Sequence, residues 1–234
     1  MAFSSIHSRL TSRGFVPTHV AEVGVHRPLN SNVYQYIVDG VRSTLVEPNP
    51  ESVDEIRVHF AGLANVTLHA IAICQTDGPV SLVRRGPSTH LKNIEGSPAA
   101  VNDRYVLNER DICVVEGRTF DSVDDGTIDL LSVDVEGSEW FVIEKLRSRP
   151  RVITLETHGA RYRNPYLAEI EEWLDANSYR LLYRNTSDST YVKEGVIRVT
   201  GSDRIGLMLT AVYLGYRSFA KSVKHAALDL LHRG

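Results

Sequence analysis

Ile128-Asp129-Leu130-Leu131-Ser132-Val133-Asp134-Val135-Glu136-Gly137-Ser138-Glu139 decides the fold class of this 234-residue chain. An apolar run that ends in acids, then Gly, then a helix-starting Ser is what a buried parallel strand produces at its carboxyl edge. In α/β folds that edge is where ligands bind. Ser138 and the acids beside it can satisfy orphan N–H groups of the following helix, and Glu139 is read as such a helix-end acid. Asp134 and Glu136 stand two apart, which points both to one side of an extended backbone. They mark a ligand site whose kind this stretch leaves open.

The same plan recurs outward from that stretch. Residues 18–23 and 43–47 are short apolar strands carrying acids at their ends, Glu22 and Glu47. Asn49 can cap a helix with Pro50 in its first position, and Val53, Ile56 and Phe60 recur at helical spacing. Residues 66–73 read as a third strand, 128–134 as a fourth and 151–156 as a fifth. A helix over 139–147, stopped before Pro150, joins the last two. A helix over 166–177 and a strand over 179–183 follow. Strands alternating with helices predict a mainly parallel sheet with helices on both faces, an α/β, doubly wound fold.

Two segments depart from this rhythm. Residues 78–120 predict a hairpin and a long insertion, with Cys113-Val114-Val115 returning as an edge strand; the insertion is a lid, an acceptor-binding loop or a tolerated surface segment. Past a single domain over 1–203, residues 204–234 read as an amphipathic helical tail: residues 205–216 carry no charge, and Phe219, Val223, Ala227 and Leu231 continue the apolar content. Such a tail covers its own domain or forms a homodimer.

With 42% hydrophobic residues the chain can bury one full core. A net charge of −3 and scattered Arg and Lys give no general attraction to nucleic acid or to an anionic membrane surface. No apolar run approaches the about 18 residues of a membrane span. Residues 1–14 are too polar for a secretory core, so a cytoplasmic location is expected. Cys74 and Cys113 are too few and too unpatterned for a disulfide framework or a zinc site, and read as buried free thiols.

Gly24, directly after the first strand, lets backbone approach a ligand, and the turn runs on from His26 to Ser31. Glu47, ending the second strand, is placed to accept hydrogen bonds from the two hydroxyls of a ribose. Together they favour an adenosine-containing cofactor. At the fifth strand, Thr154-Leu155-Glu156-Thr157-His158-Gly159 puts Glu156 and His158 on one side, where they can converge with Asp134 and Glu136. Clustered acids repel unless a cation or basic group lies between them. Two chemistries fit: Asp134 and Glu156 hold Mg²⁺, or His158 acts as general base toward a hydroxyl.

These residues together resemble the FkbM family of S-adenosylmethionine-dependent methyltransferases. The resemblance spans residues 20–193 and is strongest at Leu131-Ser132-Val133-Asp134-Val135-Glu136-Gly137-Ser138-Glu139, which matches the family's hydrophobic-D-x-E-G-x-E segment. Leu45-Val46-Glu47-Pro48-Asn49-Pro50, Thr119-Phe120-Asp121-Ser122-Val123 and Ile153-Thr154-Leu155-Glu156 support it in the family's order. It implies a class I methyltransferase, Rossmann-like fold that binds S-adenosylmethionine and transfers methyl to an oxygen, often of a sugar or a glycosylated natural product. By analogy Glu22 and Gly24 lie near the methionine part, with Ser31 in the same cofactor-binding turn. Glu47 takes the ribose, Ile71 and Ala72 border the adenine, and Asp134 sits at the junction of cofactor and acceptor. Asp134, Glu136 and His158 are then the catalytic candidates, and Mg²⁺ a further cofactor. The first motif departs from the family's Asp-x-Gly-x-Asn-x-Gly, reading Glu22-Val23-Gly24-Val25-His26-Arg27-Pro28, so His26 and Arg27 are free to serve the acceptor. Within the family, the chain is similar to mycobacterial sugar O-methyltransferases that act on methylmannose polysaccharides. The rivals are a nucleotide-sugar oxidoreductase, which lacks its Gly-rich fingerprint here, and a degenerate S-adenosylmethionine-binding scaffold.

Overall fold

The apolar strands are buried because both of their faces are covered. The computed structural model describes residues 5–94, 96–103 and 105–231. In chain order the elements are α1 (Ile6–Thr11), β1 (His19–Val23), α2 (Tyr34–Val38), β2 (Arg42–Val46), α3 (Pro50–His59), β3 (Val66–His69), β4 (Ala72–Ile73), β5 (Gly78–Val83), β6 (His90–Leu91), α4 (Pro98–Asp103), β7 (Ile112–Arg118), β8 (Leu130–Val133), α5 (Glu139–Ile143), β9 (Val152–Glu156), α6 (Leu167–Ala176), β10 (Tyr179–Arg184), β11 (Asp188–Lys193) and α7 (Gly201–Leu231). Seven strands form the main sheet in the order β10-β11-β9-β8-β1-β2-β3. Only β11 runs against its neighbours; the rest are parallel. The doubly wound α/β fold read from the sequence is the fold of the protein.

Alternation along each strand splits the core in two. Val20, Leu45, Leu130 and Val152 pack on one face with Leu10, Ile37 and Ile56, from α1, α2 and α3. Ala21, Val46, Leu131 and Ile153 pack on the other with Phe141, Ile143 and Ile170, from α5 and α6. Each fully buried aliphatic side chain contributes ~1.5–3 kcal/mol relative to exposure, so the sheet centre is the most secure part of the molecule. The chain winds outward from β1 through β2 to β3, then returns to β8 on the opposite side of β1. That reversal opens a crevice at the carboxyl ends of β1 and β8, where Gly24 and Asp134 follow directly.

Four details differ from the sequence reading. The expected strand over 66–73 is two strands in two sheets: after His69 the backbone leaves the main sheet, and β4 pairs with β7. This takes Ile71 and Ala72 toward the crevice. Cys113-Val114-Val115 is not at an edge, because β7 lies between β4 and β5 in a four-stranded sheet of order β4-β7-β5-β6. The helix expected over 139–147 ends at Ile143, since Asp124 captures the amides of Arg147 and Ser148 at 2.7 Å each and removes them from the helix. Strand β11 went unread, and it fills the place between β9 and β10. Of the two cysteines, Cys74 is buried and Cys113 half-buried, both unbridged.

The C-terminal helix is present as α7, at 31 residues about 46 Å long. Its start is fastened twice. Thr200 and Asp203 cap each other, with the Thr200 amide donating to Asp203 at 2.7 Å and the Asp203 amide to Thr200 Oγ1 at 3.4 Å. Arg13 grips both oxygens of Asp203, which holds that carboxyl down at about 2. Among the described residues no helix is long and apolar enough to cross a membrane.

Candidate functional site

The site grows from a seam between two loops. At Gly24 φ is +86°, and an added Cβ would stand 1.8 Å from the Asp134 carbonyl oxygen, so only glycine fits between the strand ends. The seam is bonded on both sides: the Gly24 amide donates to Val46 O and the Asp134 amide to Val23 O, both at 2.9 Å. Beside it a cavity is lined by Glu22, Gly24, Glu47, Ile71, Ala72 and Asp134, six of the seven residues expected at the cofactor. The seventh, Ser31, stands behind Glu22 and donates its hydroxyl to that carboxylate. Asn30, Asn32, His90 and Leu91 also line the cavity, and the last two bring the small sheet to it.

Glu47 is buried, and its two oxygens accept the amides of His26 at 2.7 Å and Asn49 at 2.9 Å. A carboxylate has about four lone-pair sites, so room remains for a hydroxyl donor beside these amides and that of Val25. Burial still raises its pKa, against the pull of those amides. Glu22, deeper, is pushed up to about 7 by burial despite bonds from Ser31 and the Asn32 amide. An apolar floor at Ile71 and Ala72, a doubly anchored acid at Glu47 and raised acids at Glu22 and Asp134 suit S-adenosylmethionine. Its hydroxyls would meet Glu47, and its cationic centres would relieve the acids.

A second cluster lies at the ends of β8 and β9. Carboxylate oxygens of Asp134, Glu136 and Glu156 come within 4.8 Å of one another. The two-apart argument for Asp134 and Glu136 does not hold, because β8 stops at Val133 and Glu136 takes a left-handed φ of +56°. The turn, not an extended strand, brings them together. Strained backbone of this kind persists where the surroundings enforce it. Glu139 is the enforcer: fully buried, it accepts the amides of Val135 at 3.0 Å and Gly137 at 3.3 Å, and is itself held by the Asn164 amide group. Burial pushes it up to about 7. Ser138 sits at the start of α5 without capping it and instead donates to Val135 O at 3.2 Å.

Burial first, then mutual repulsion, raises Asp134 and Glu156 well above ordinary carboxyl values. Glu156 Oε2 and the Tyr162 hydroxyl are buried without hydrogen-bond partners among the described residues. An all-oxygen donor set with an unsatisfied buried carboxylate oxygen fits a hard divalent cation such as Mg²⁺. One member of this neighbourhood, Asp188, escaped sequence reading. Asp188 pairs in register with Glu156 across β9 and β11 and adds to the repulsion on Asp134 and Glu156. Tyr162 feels the charges of the same acids. The strand-favouring run Thr190-Tyr191-Val192 was the available signal for β11.

His158 does not line the cavity beside Gly24. Its Nδ1 contacts Thr157 Oγ1 at 2.8 Å and its Nε2 the Asn185 carbonyl at 3.2 Å, which makes Nε2 the protonated nitrogen and Nδ1 an acceptor. Burial lowers its pKa, so it is neutral at physiological pH.

Set beside known proteins, the chain has no match among curated sequences. Among solved structures it is similar to magnesium protoporphyrin IX methyltransferase (ChlM) of Synechocystis PCC 6803 with bound SAM, at 11% identity over 81% of this chain and 77% of that one, TM-score 0.45. It is also similar to precorrin-6y C5,15-methyltransferase of Geobacter metallireducens GS-15, at 14% identity over 80% and 87%, TM-score 0.41. A ribosomal protein L11 methylase of Lactobacillus delbrueckii subsp. bulgaricus matches at 12% identity over 80% and 75%, TM-score 0.41. The family model of the methyltransferase FkbM domain matches residues 22–181, from the acid at the first strand to the middle of β10. With both the cavity and the acid cluster inside that span, the chain belongs to the FkbM family of S-adenosylmethionine-dependent methyltransferases.

Proposed function

We propose that this protein is a cytoplasmic O-methyltransferase that acts on a hydroxyl of a sugar or oligosaccharide. The observation that carries this reading is the trio Asp134, Glu136 and Glu156, with Asp134 shared between the acid cluster and the cofactor cavity. An alcohol holds its proton too tightly to attack unaided, so its methylation needs a base or a cation at the reacting oxygen. S-adenosylmethionine, when bound, supplies an electrophilic methyl group on a sulfonium. Asp134, its pKa raised by burial and neighbouring acids, takes the hydroxyl proton. The acceptor oxygen forms its bond to the methyl carbon as the carbon–sulfur bond breaks with its electron pair to sulfur. In the alternative, Asp134, Glu136 and Glu156 would all be ionised and hold Mg²⁺, which would make the hydroxyl more acidic and leave its proton to another base. His158 is the alternative base, at the expense of its Thr157 contact. Asn30, Asn32, Thr89 and His90 give the cavity hydrogen-bonding groups suited to a hydroxyl-rich acceptor.

The test is transfer of labelled methyl from S-adenosylmethionine to a panel of mono- and oligosaccharides, with and without Mg²⁺. Transfer to oxygen is expected, lost in Asp134→Asn and reduced in Glu156→Gln while both variants keep the native circular dichroism. Full activity of Asp134→Asn, or methylation only of nitrogen or carbon acceptors, overturns the proposal.

A further inference from the structure

The helix α7 presents the wrong face to water. Along it, Ile205, Leu209, Val212, Tyr216, Phe219 and Val223 are each between 52% and 73% exposed. Their spacing is four, three, four, three, four, the heptad alternation of a coiled-coil seam. The opposite side of the helix turns to the domain, where Thr210 is buried, Leu207, Leu214, Arg217 and Lys221 are half-buried, and α7 lies against β10.

We propose that this seam pairs with the same seam of a second copy of the chain, joining two molecules through α7. Three observations select that occupant. A stripe stepping by four and three residues keeps one face toward a facing helix along its length, whereas a lipid surface imposes no such register. The flanking positions hold Gly206, Met208, Tyr213, Gly215, Ala220 and Ser222, so two identical helices meet without like charges opposed. The six seam side chains, with Met208, leave exposed on the order of 900 Å², about what one partner contributes to a standard interface. A helix lying on a membrane keeps its cationic face toward water beside the lipid. Here Arg217 and Lys221 face the domain, and Arg204 is the one charge on the outward side among residues 204–223.

The oligomeric state of the full chain decides the matter, read by sedimentation equilibrium and by light scattering after gel filtration. The wild type is expected to be a dimer at micromolar concentration. The Leu209→Glu/Phe219→Glu variant is expected to be a monomer with unchanged circular dichroism, and the milder Phe219→Ser to raise the dimer dissociation constant at least tenfold. A monomeric wild type overturns the proposal, as does a charged double variant that stays dimeric. Flotation of a monomeric wild type with phosphatidylcholine/phosphatidylglycerol vesicles also overturns it and assigns the face to lipid. None of these readouts depends on methyl transfer.

Discussion

Replacing Gly24 with alanine tests whether the loops after β1 and β8 form one rigid seam. The added Cβ would lie 1.8 Å from Asp134 O, and ordinary contact begins at 3.4 Å, so the loops must part by about 1.6 Å (3.4 minus 1.8). Gly195 provides the control: its φ is also +86°, but nothing lies within 4 Å of its added Cβ. Gly195→Ala therefore measures left-handed strain by itself, roughly 1 kcal/mol. Gly24→Ala carries the same strain plus an overpacking cost of ~1–3 kcal/mol. Parting the loops also breaks the bond from the Asp134 amide to Val23 O, worth ~1 kcal/mol. The sum is ~3–5 kcal/mol against ~1 for the control. Urea unfolding followed by the fluorescence of Trp140 and Trp173 reads the difference. Calorimetry should show S-adenosylmethionine affinity reduced at least tenfold in Gly24→Ala alone, a loss of ~1.4 kcal/mol. Equal destabilisation of the two variants, within about 0.5 kcal/mol, would refute the seam.

The remaining predictions concern the buried acids. Glu136→Gly relieves a left-handed non-glycine residue and removes one of three repelling acids, so the protein should gain roughly 1 kcal/mol while methyl transfer falls; a lower melting temperature would contradict this. Glu22 and Glu139 titrate near 7 in the fold against an ordinary 4.5, so between those values the folded state holds protons that the unfolded state has released. Stability without ligand, full below about pH 4.5, should therefore drain away up to pH 7, on the order of 3 kcal/mol per group, and melting curves from pH 5 to 8 should shift downward. A melting temperature that rises over that range is the opposite outcome. Glu47→Gln exchanges one accepting oxygen for a donor that meets a backbone amide, so S-adenosylmethionine binding measured by calorimetry should weaken tenfold or more; unchanged affinity removes Glu47 from the ribose role.

Much of the fold was legible because its signals are local. A strand buried on both faces reads as an apolar run, and the helix cap at Asn49-Pro50 is a property of adjacent residues: the Asn49 side chain accepts the Glu51 amide at 3.3 Å. The breaks were less legible. Nothing in the Val-Thr-Leu-His-Ala-Ile-Ala-Ile run ending at Ile73 announces the change of sheet after His69, because β4 is defined by its distant partner β7. The helix over 139–147 was read too long because Asp124, which ends it, lies more than twenty residues upstream. In the site, Glu22, Gly24, Glu47 and Asp134 were visible as residues closing strands. Asp188 was not, since its place rests on the pairing of β11 with β9.

By itself the sequence determined the alternation of strands and helices, the acids at the strand ends, the glycine between them and the family that shares this pattern. These are one-dimensional features: period, run length and spacing. Only the tertiary structure decided that Asp134, Glu136 and Glu156 share one small volume, that a left-handed turn brings Glu136 there, and that His158 turns to Thr157 and Asn185. It also decided which side of α7 faces the domain. Amphipathicity can be read from a helix alone, but its orientation depends on what the helix packs against. Here Arg13 fixes the start of α7, and the side carrying Leu207, Thr210 and Leu214 turns to the domain, which leaves the side carrying Leu209, Val212 and Phe219 outward.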